Sequence, residues 1–359
     1  MLSATLLWML TGVLACDQID PEGNEPGECS DGADNDADRT YDCDDSDCFN
    51  APACADSDDD DSVGDDDDSV GDDDDSAGDD DDSAAQVFVP ISLSVGSYHS
   101  CRVSPSGVVQ CWGMNEYGQC NAPTGPFVSV SAGGYHSCGL RPDGTVACWG
   151  YNFSGQALAP TTSFVQIAAG RDHSCGLRVD GTAQCWGSDS YGQSTPPQGS
   201  FLTLSAGGRH TCALREDLDV TCWGEDANNQ LFGPNIDNHN YSPEQIDSWV
   251  LSVGARHSCQ VDASHNLHCW GADLDGQIET PPGEFIDVSA GGFHSCAIRT
   301  DGYARCWGRD GLGQSSPPIG VTYTAISVGA YHSCALSEAG AVHCWGLNDW
   351  GQSLPPEGI

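Results

Sequence analysis

Lysine is missing from this sequence of 359 residues, and the 11 basic residues, all of them arginine, are outnumbered by 54 acidic ones. The formal net charge is −43. A partner held through nucleic-acid phosphates needs clustered cations on the protein, so this composition argues against nucleic acid as a ligand. It argues equally against docking to anionic lipid through a basic patch.

Recognisable catalytic signatures are also missing. The sequence contains no GxSxG motif, no HExxH motif and no glycine-rich phosphate loop, and no nucleophile stands in a pattern with a partner base. Long apolar runs are scarce, because only residues 4–15 form one. We therefore expect a protein that is not an enzyme, that carries no cofactor in its repeats and that has no membrane-spanning helix.

The N-terminus carries that one apolar run, ATLLWMLTGVLA. It is too short to cross about 30 Å of hydrocarbon, and residues 1–15 are typical of a cleaved signal peptide. The small residue before Cys16 resembles the lipobox of bacterial lipoproteins, which implies lipidation of Cys16, although no Lys or Arg precedes the run. We predict an exported lipoprotein at the outer membrane or cell surface, touching the membrane through its anchor alone. The alternative is plain secretion, with Cys16 in a disulfide.

Residues 16–54 are rich in cysteine and aspartate and resemble the Cys/Asp-rich segments of exported myxobacterial-type proteins. Oxygen-bearing side chains stand at positions 1, 3, 5, 7, 9 and 12 of a loop, and Ca²⁺ prefers six to eight oxygens. Arg39 occupies position 6, where glycine is usual, and position 12 is Asp in place of Glu. The alternative is a solvated acidic run. The predicted Ca²⁺ ligands are Asp34, Asp36, Asp38, Thr40, Asp42 and Asp45.

Residues 55–85 are dominated by four DDDDS blocks. Blocks of like charge repel one another and have too little apolar surface to form a core, so we expect a disordered, extended linker. It would separate the N-terminal segment from the remaining domain, residues 86–359.

That domain consists of seven copies of one unit, which reads His-Ser/Thr-Cys, then nine residues, then Cys-Trp-Gly, and then Gly-Gln or Asn-Gln. Successive copies are 37, 37, 37, 47, 37 and 38 residues apart. Repeats of this length indicate a repeat architecture. The histidines that mark the copies are His99, His136, His173, His210, His257, His294 and His332.

The second copy shows that the unit is made of β-strands. Residues 127–131 alternate apolar and small polar side chains, as a half-buried strand does. Pro142-Asp143-Gly144 suits a three-residue hairpin loop with the glycine in the left-handed region. With Arg141 facing Thr145, Cys138 lies opposite Cys148, and Trp149 projects from the other face of the sheet.

One copy cannot bury both faces of so small a sheet, so neighbouring copies must cover them. We predict seven sheets of three to four strands that close into an all-β, seven-bladed β-propeller, with residues 87–95 beside the last copy at the closure. The motif GGYHSCGLRPDGTVACWGYNFSGQ of residues 133–156 resembles the regulator of chromosome condensation repeat, which forms seven blades. The short period is closer to secreted bacterial relatives, including propeller inhibitors of β-lactamase.

Cysteines that face each other on adjacent strands lie within disulfide reach. We expect one disulfide per blade, the alternative being buried thiols that act as small apolar groups. If Cys16 is lipidated and four further N-terminal cysteines form two pairs, Cys120 is left over, as a free thiol or in an intermolecular bond. The predicted pairs are Cys101–Cys111, Cys138–Cys148, Cys175–Cys185, Cys212–Cys222, Cys259–Cys269, Cys296–Cys306 and Cys334–Cys344.

The seven equivalent histidines could form a metal ring or an active site. The resemblance instead implies a packing residue whose ring bonds neighbouring backbone, and a residue present in every copy does not suit an asymmetric active site. We interpret these histidines as structural.

The turn before each histidine and the loop after each Trp-Gly emerge on the same rim of the propeller. We predict a crown of aromatic side chains with scattered arginines there, which is typical of a protein interface. The alternative is that some rings pack against their own blade. The predicted face comprises Tyr98, Tyr117, Tyr135, Phe153, Tyr191, Arg209, Arg256, Phe293, Tyr331 and Trp350.

These observations favour a non-enzymatic, monomeric envelope protein whose propeller binds another protein. Resemblance to the bacterial relatives suggests, as an alternative, inhibition of a secreted or periplasmic enzyme. Guanine-nucleotide exchange, the role of the nuclear archetype, a propeller lyase and a purely structural envelope role are further alternatives. The ten extra residues between the fourth and fifth copies, within residues 226–249, form either a functional protrusion or a neutral insertion.

Overall fold

The computed structural model describes residues 92–233 and 249–356. The chain divides into two units, Met1–Asp82 and Ser83–Ile359, and the described residues belong to the second. The predicted signal peptide, the lipidation of Cys16, the Asp34-to-Asp45 calcium segment and the acidic linker lie outside the described residues. So does most of the insertion before the fifth copy.

Seven three-stranded antiparallel sheets make up the described part of the chain, one sheet for each sequence copy. Each sheet runs in chain order, so that a blade is one continuous segment. The strands are β1 Leu93–Val95, β2 His99–Val103 and β3 Val109–Gly113 in blade 1; β4 Ser129–Ala132, β5 His136–Leu140 and β6 Val146–Gly150 in blade 2; β7 Gln166–Ala169, β8 His173–Leu177 and β9 Ala183–Gly187 in blade 3; β10 Phe201–Ala206, β11 His210–Arg215 and β12 Val220–Gly224 in blade 4; β13 Val250–Val253, β14 His257–Val261 and β15 Leu267–Gly271 in blade 5; β16 Phe285–Ala290, β17 His294–Arg299 and β18 Ala304–Gly308 in blade 6; and β19 Tyr323–Val328, β20 His332–Ser337 and β21 Val342–Gly346 in blade 7.

The predicted hairpin register is confirmed. Cys138 faces Cys148 and Leu140 faces Val146. The backbone amide of Arg141 donates to the carbonyl of Thr145 at 2.9 Å, and Gly144 has a φ of 79°. That positive φ costs glycine little because it has no Cβ. The turn chemistry therefore sets which side chains face one another.

The seven sheets close into a ring, which confirms the seven-bladed β-propeller. The closure comes from packing between complete blades: β1 pairs with β2 in its own sheet and only packs beside the last blade, where the Val95 amide donates to Ser327 Oγ at 2.9 Å. Three strands per blade suffice, because the side chains of the neighbouring blade cover each exposed face.

The core lies between neighbouring blades and not inside any one of them. Val103 of blade 1 packs with Phe127, Val130 and Trp149 of blade 2 in one buried cluster, and similar clusters lie between other neighbours. Burial of a side chain the size of Phe127 contributes about 1.5–3 kcal/mol. Each blade therefore depends on its neighbours for stability.

A disulfide joins the second and third strands of every blade. The two Cα atoms lie 4.0 or 4.1 Å apart in all seven, and the cysteine on the middle strand is completely buried. Cys120 is the free cysteine of the described residues.

Candidate functional site

The seven repeat histidines form a closed belt between the blades, which we call the histidine belt. Each is completely buried, and each Nε2 contacts a Ser or Thr hydroxyl of the next blade. The prediction that the ring bonds neighbouring backbone is therefore wrong: the partner is a side chain, which then bonds backbone itself. The contacts are His99–Ser137, His136–Ser174, His173–Thr211, His257–Ser295, His294–Ser333 and His332–Ser100 at 2.8 Å, and His210–Ser258 at 2.9 Å.

The belt hydroxyls fix which ring nitrogen carries the proton. Ser137 Oγ donates to the backbone carbonyl of Gln119 at 3.0 Å, so its oxygen must accept from His99 Nε2. The same carbonyl accepts Trp149 Nε1 at 2.8 Å, which explains why Trp-Gly and Gly-Gln recur together. His99 Nδ1 is then an unprotonated, buried nitrogen with no hydrogen-bond partner.

Burial keeps these imidazoles neutral. It lowers the pKa of His99 to about 4 and that of His136 to about 3, because an imidazolium in the dry interior loses its hydration. Within residues 92–233 and 249–356, no group of three His, Cys, Asp or Glu side chains is placed to hold a metal ion. The belt joins neighbouring blades through its side-chain hydrogen bonds.

One end of the propeller opens into a central well of about 260 Å³. Its wall consists of the small residues between the first and second strand of each blade, such as Ala132-Gly133-Gly134 in blade 2. The amide of Ser97 donates to the Gly133 carbonyl at 3.1 Å, and equivalent bonds follow at the next blade junctions. At six junctions a wall amide is thus bonded to a carbonyl of the next blade.

The residue just before each belt histidine directly follows the wall residues, and we call these seven positions the mouth of the well. Tyr98, Tyr135, Phe293 and Tyr331 are part of the lining of the well itself. In blades 6, 7, 1 and 2 the residue before the histidine is aromatic, and neighbouring rings touch. Their centroids are 5.8 Å apart for Phe293–Tyr331, 5.4 Å for Tyr331–Tyr98 and 5.7 Å for Tyr98–Tyr135. Burial raises the pKa of Tyr98 above its ordinary value, and a hydrogen bond with Tyr331 raises it further. We call these four rings the aromatic arc.

The aromatic arc continues outward over blades 1 and 2. The ring centroid of Tyr117 lies 5.6 Å from that of Tyr135 and 4.9 Å from that of Tyr151, and the centroids of Tyr151 and Phe153 are 6.4 Å apart. Tyr117 is 48% exposed and Phe153 is 87% exposed. Seven rings from four adjacent blades thus form one connected surface that ends in exposed side chains.

Blades 3 to 5 carry charged side chains at or beside the wall: Arg171 lines the well, whereas Arg209 and Arg256 directly follow the lining residues Gly208 and Ala255. The guanidinium carbon of Arg209 lies 4.7 Å from the centroid of the Tyr191 ring. Arg209 Nη1 donates to the Tyr191 hydroxyl at 2.9 Å and is 3.4 Å from Glu225 Oε1. Arg171 is paired with Asp172 at 3.4 Å. Arg256 is exposed. We call Arg171, Arg209 and Arg256 the arginine arc.

The predicted rim residues are not spread evenly around the ring, because the aromatic and the charged ones lie on different blades. Tyr191 belongs with the arginines, and Trp350 is 47% exposed in the outer loop of blade 7. Many of the rings pack against rings of neighbouring blades rather than against their own blade. Sequence reasoning missed Tyr151 and Arg171, because each is the only residue of its kind at its repeat position and so gives no periodic signal.

The Regulator of chromosome condensation (RCC1) repeat matches residues 91–119, 127–156, 164–193, 202–230, 285–314 and 323–352. The chain carries RCC1 repeats. Blade 5 is the copy without a match. In its hairpin His265 takes the positive φ of 64° that glycine takes in blade 2.

Solved structures with the same fold include plant and yeast proteins. The CRINKLY WD40 ectodomain of the Arabidopsis thaliana receptor kinase ACR4 is 26% identical, with a TM-score of 0.58 over 74% of this chain and 97% of that one. The ectodomain of the Physcomitrella patens receptor kinase CR4 is 24% identical, with a TM-score of 0.59 over 71% and 73%. Saccharomyces cerevisiae Prp20p is 18% identical, with a TM-score of 0.57 over 73% and 85%.

No curated protein matches this chain. In the described part of the RCC1-repeat domain, no helix is long and apolar enough to cross a membrane.

Proposed function

We propose that this RCC1-repeat propeller is a non-enzymatic binding module that recognises another protein through the face around its central well. The observation that carries the proposal is the connected aromatic surface from Phe293 to Phe153, which stays partly exposed. Exposed aromatic side chains beside arginine are enriched at protein interfaces.

The fold supports a binding role rather than catalysis. The solved structure of Prp20p is described together with its binding to Gsp1p and histones. The belt histidines, which are the obvious candidates for chemistry, are neutral and used between the blades.

We further propose that the domain is displayed outside the cytoplasm, on a lipid anchor at Cys16 and the acidic linker. Seven disulfides support export, because such bonds persist in oxidising compartments. The receptor-kinase ectodomains with the same fold support it as well.

Affinity capture from the native envelope tests the proposal, with the full chain as bait and mass spectrometry of the captured proteins. Phe153→Ala, alone and combined with Tyr117→Ala, should remove proteins that the unaltered chain retains. Val179→Ala is the matched control, because Val179 is 90% exposed in the hairpin loop at the opposite end of blade 3. Equal retention by all the variants would refute the aromatic face as the binding surface.

A further inference from the structure

The mouth of the well is chemically asymmetric although its backbone repeats seven times. The residue before the belt histidine is aromatic in four consecutive blades and charged in the other three. If packing alone required a ring there, blades 3, 4 and 5 would need one too, and they form the same sheets without it. The division into two arcs is therefore not a requirement of the fold.

The aromatic arc is preorganised for an apolar group. Tyr98 contacts rings on both sides, so these side chains have lost much of their rotamer freedom before any partner arrives. Binding to such a surface costs little further ordering, which favours affinity. The well beside the arc is lined mainly by glycine, alanine and valine and has a volume of about 260 Å³, so it has room for one apolar side chain.

The arginine arc carries one positive charge that is unpaired within the described residues, in an otherwise acidic domain. Residues 86–359 hold 24 acidic residues and 10 arginines, yet three consecutive blades each carry an arginine at or directly beside the wall of the well. Asp172 and Glu225 offset Arg171 and Arg209, while Arg256 has no ion-pair partner among the described residues. The tight stack of Arg209 on Tyr191 holds a second guanidinium in place. A carboxylate is the group that complements this side of the mouth.

We propose that the partner presents a protruding loop with an apolar or aromatic side chain for the well and an aspartate or glutamate close to it for Arg256. The inference deepens the proposed function and rests on it: it assigns the chemistry of the epitope. The two arcs lie on opposite sides of one well, so both groups must come from the same short loop.

A phage-displayed library of disulfide-cyclised heptapeptides, panned against the full chain, tests the inference directly. Retained peptides should pair Asp or Glu with Leu, Phe, Tyr or Trp within the ring. A retained peptide, resynthesised with a fluorophore, is then titrated against the protein by anisotropy. Arg256→Gln should weaken binding about fivefold and flatten its salt dependence. Arg305→Gln should change neither, since Arg305 is exposed on β18, away from the mouth.

A double-mutant cycle separates direct pairing from a general charge effect. Replacing the peptide's acid by its amide should cost the unaltered protein about fivefold and cost Arg256→Gln little. Retained peptides without acids, no retained peptide at all, or equal losses in both proteins would overturn the inference. If native envelope proteins are still lost with Phe153→Ala while Arg256→Gln retains them fully, the binding face stands and only the acidic epitope is refuted.

Discussion

His332 Nε2 lies 2.8 Å from Ser100 Oγ, so the last blade is joined to the first by the same side-chain bond that joins the blades elsewhere in the ring. The closure of this propeller is therefore continuous with its repeat. No strand is exchanged between the ends of the described domain, and the ring is held by contacts that every junction shares.

Removal of one belt hydroxyl should destabilise the whole ring. Ser137→Ala leaves His99 Nε2 buried without an acceptor and deprives the Gln119 carbonyl of one donor. A buried unsatisfied polar group costs about 1–3 kcal/mol, so the free energy of unfolding should fall by that amount, measured as a lower urea midpoint with an unchanged m-value. Ser137→Thr is the control, because Thr211 occupies the same place in blade 4. An alanine variant as stable as the unaltered protein would contradict the role of the belt.

Acid should unfold this domain between about pH 6.5 and pH 4. Burial holds the belt histidines at a pKa of about 3 or 4 in the folded state, as for His136 and His99, whereas unfolded histidines take up protons near pH 6.5. The stability that depends on neutral histidine is complete above pH 6.5 and is lost as the pH falls toward 4. Each histidine contributes a slope of about 1.4 kcal/mol per pH unit in that window.

Urea unfolding at pH 7.5, 6.0 and 5.0 measures this slope, and its size reports how many protons the unfolded state gains. A steep slope, equivalent to several protons, is expected. A stability that is flat from pH 7.5 to pH 5.0 would show that the histidines titrate normally in the folded protein.

Asp287 should oppose this trend. Its carboxylate accepts the Ile326 amide across the junction of blades 6 and 7 at 3.0 Å, and burial raises its pKa to about 7. The folded state therefore binds a proton that the unfolded state releases, so Asp287 destabilises the fold above pH 7 and ceases to do so as the pH falls toward 4. Asp287→Asn should stabilise the protein by about 1 kcal/mol at pH 8 and by little at pH 5.

Thermal melts at the two pH values test the Asp287 prediction. Gln166→Glu is the converse variant, because Gln166 accepts the Leu204 amide at the equivalent position of blade 3. It should lower the melting temperature at pH 8 more than at pH 5. Equal effects at both pH values would show that charge at this position is not the cause.

Cys120 should behave as a structural thiol. Its Sγ donates to the Met114 carbonyl at 3.3 Å, and Ser353 Oγ makes the equivalent bond to Leu347 at 2.7 Å in blade 7. Burial raises the pKa of the Cys120 thiol to about 12, so little thiolate exists at pH 8. Cys120→Ser should change stability by less than about 0.5 kcal/mol.

Iodoacetamide labelling followed by intact-mass analysis checks the thiol. Cys120 should be alkylated slowly in the folded protein and rapidly in urea. Labelling of the folded protein at the rate of a free cysteine would contradict the burial of Cys120.

The sequence by itself determined the blade. The fixed spacing of the cysteines, the alternation of strand residues and the Pro142-Asp143-Gly144 loop are local signals, and turn chemistry sets register over a few residues. The facing of Cys138 and Cys148 therefore followed without any knowledge of the neighbouring blades. The repeat count likewise fixed the number of blades.

Only the tertiary structure decided what lies between the blades. His99 and Ser137 belong to successive copies of the repeat, and each fits the pattern of its own copy. No local signal shows that the hydroxyl of one copy accepts a hydrogen bond from the imidazole of another. Ring closure brings Tyr331 against Tyr98 across 233 positions of sequence, and so turns scattered aromatic residues into one arc opposite the arginines. Hydrogen-bond register is a property of neighbouring strands, whereas the surface around the well arises from the packing of all seven sheets.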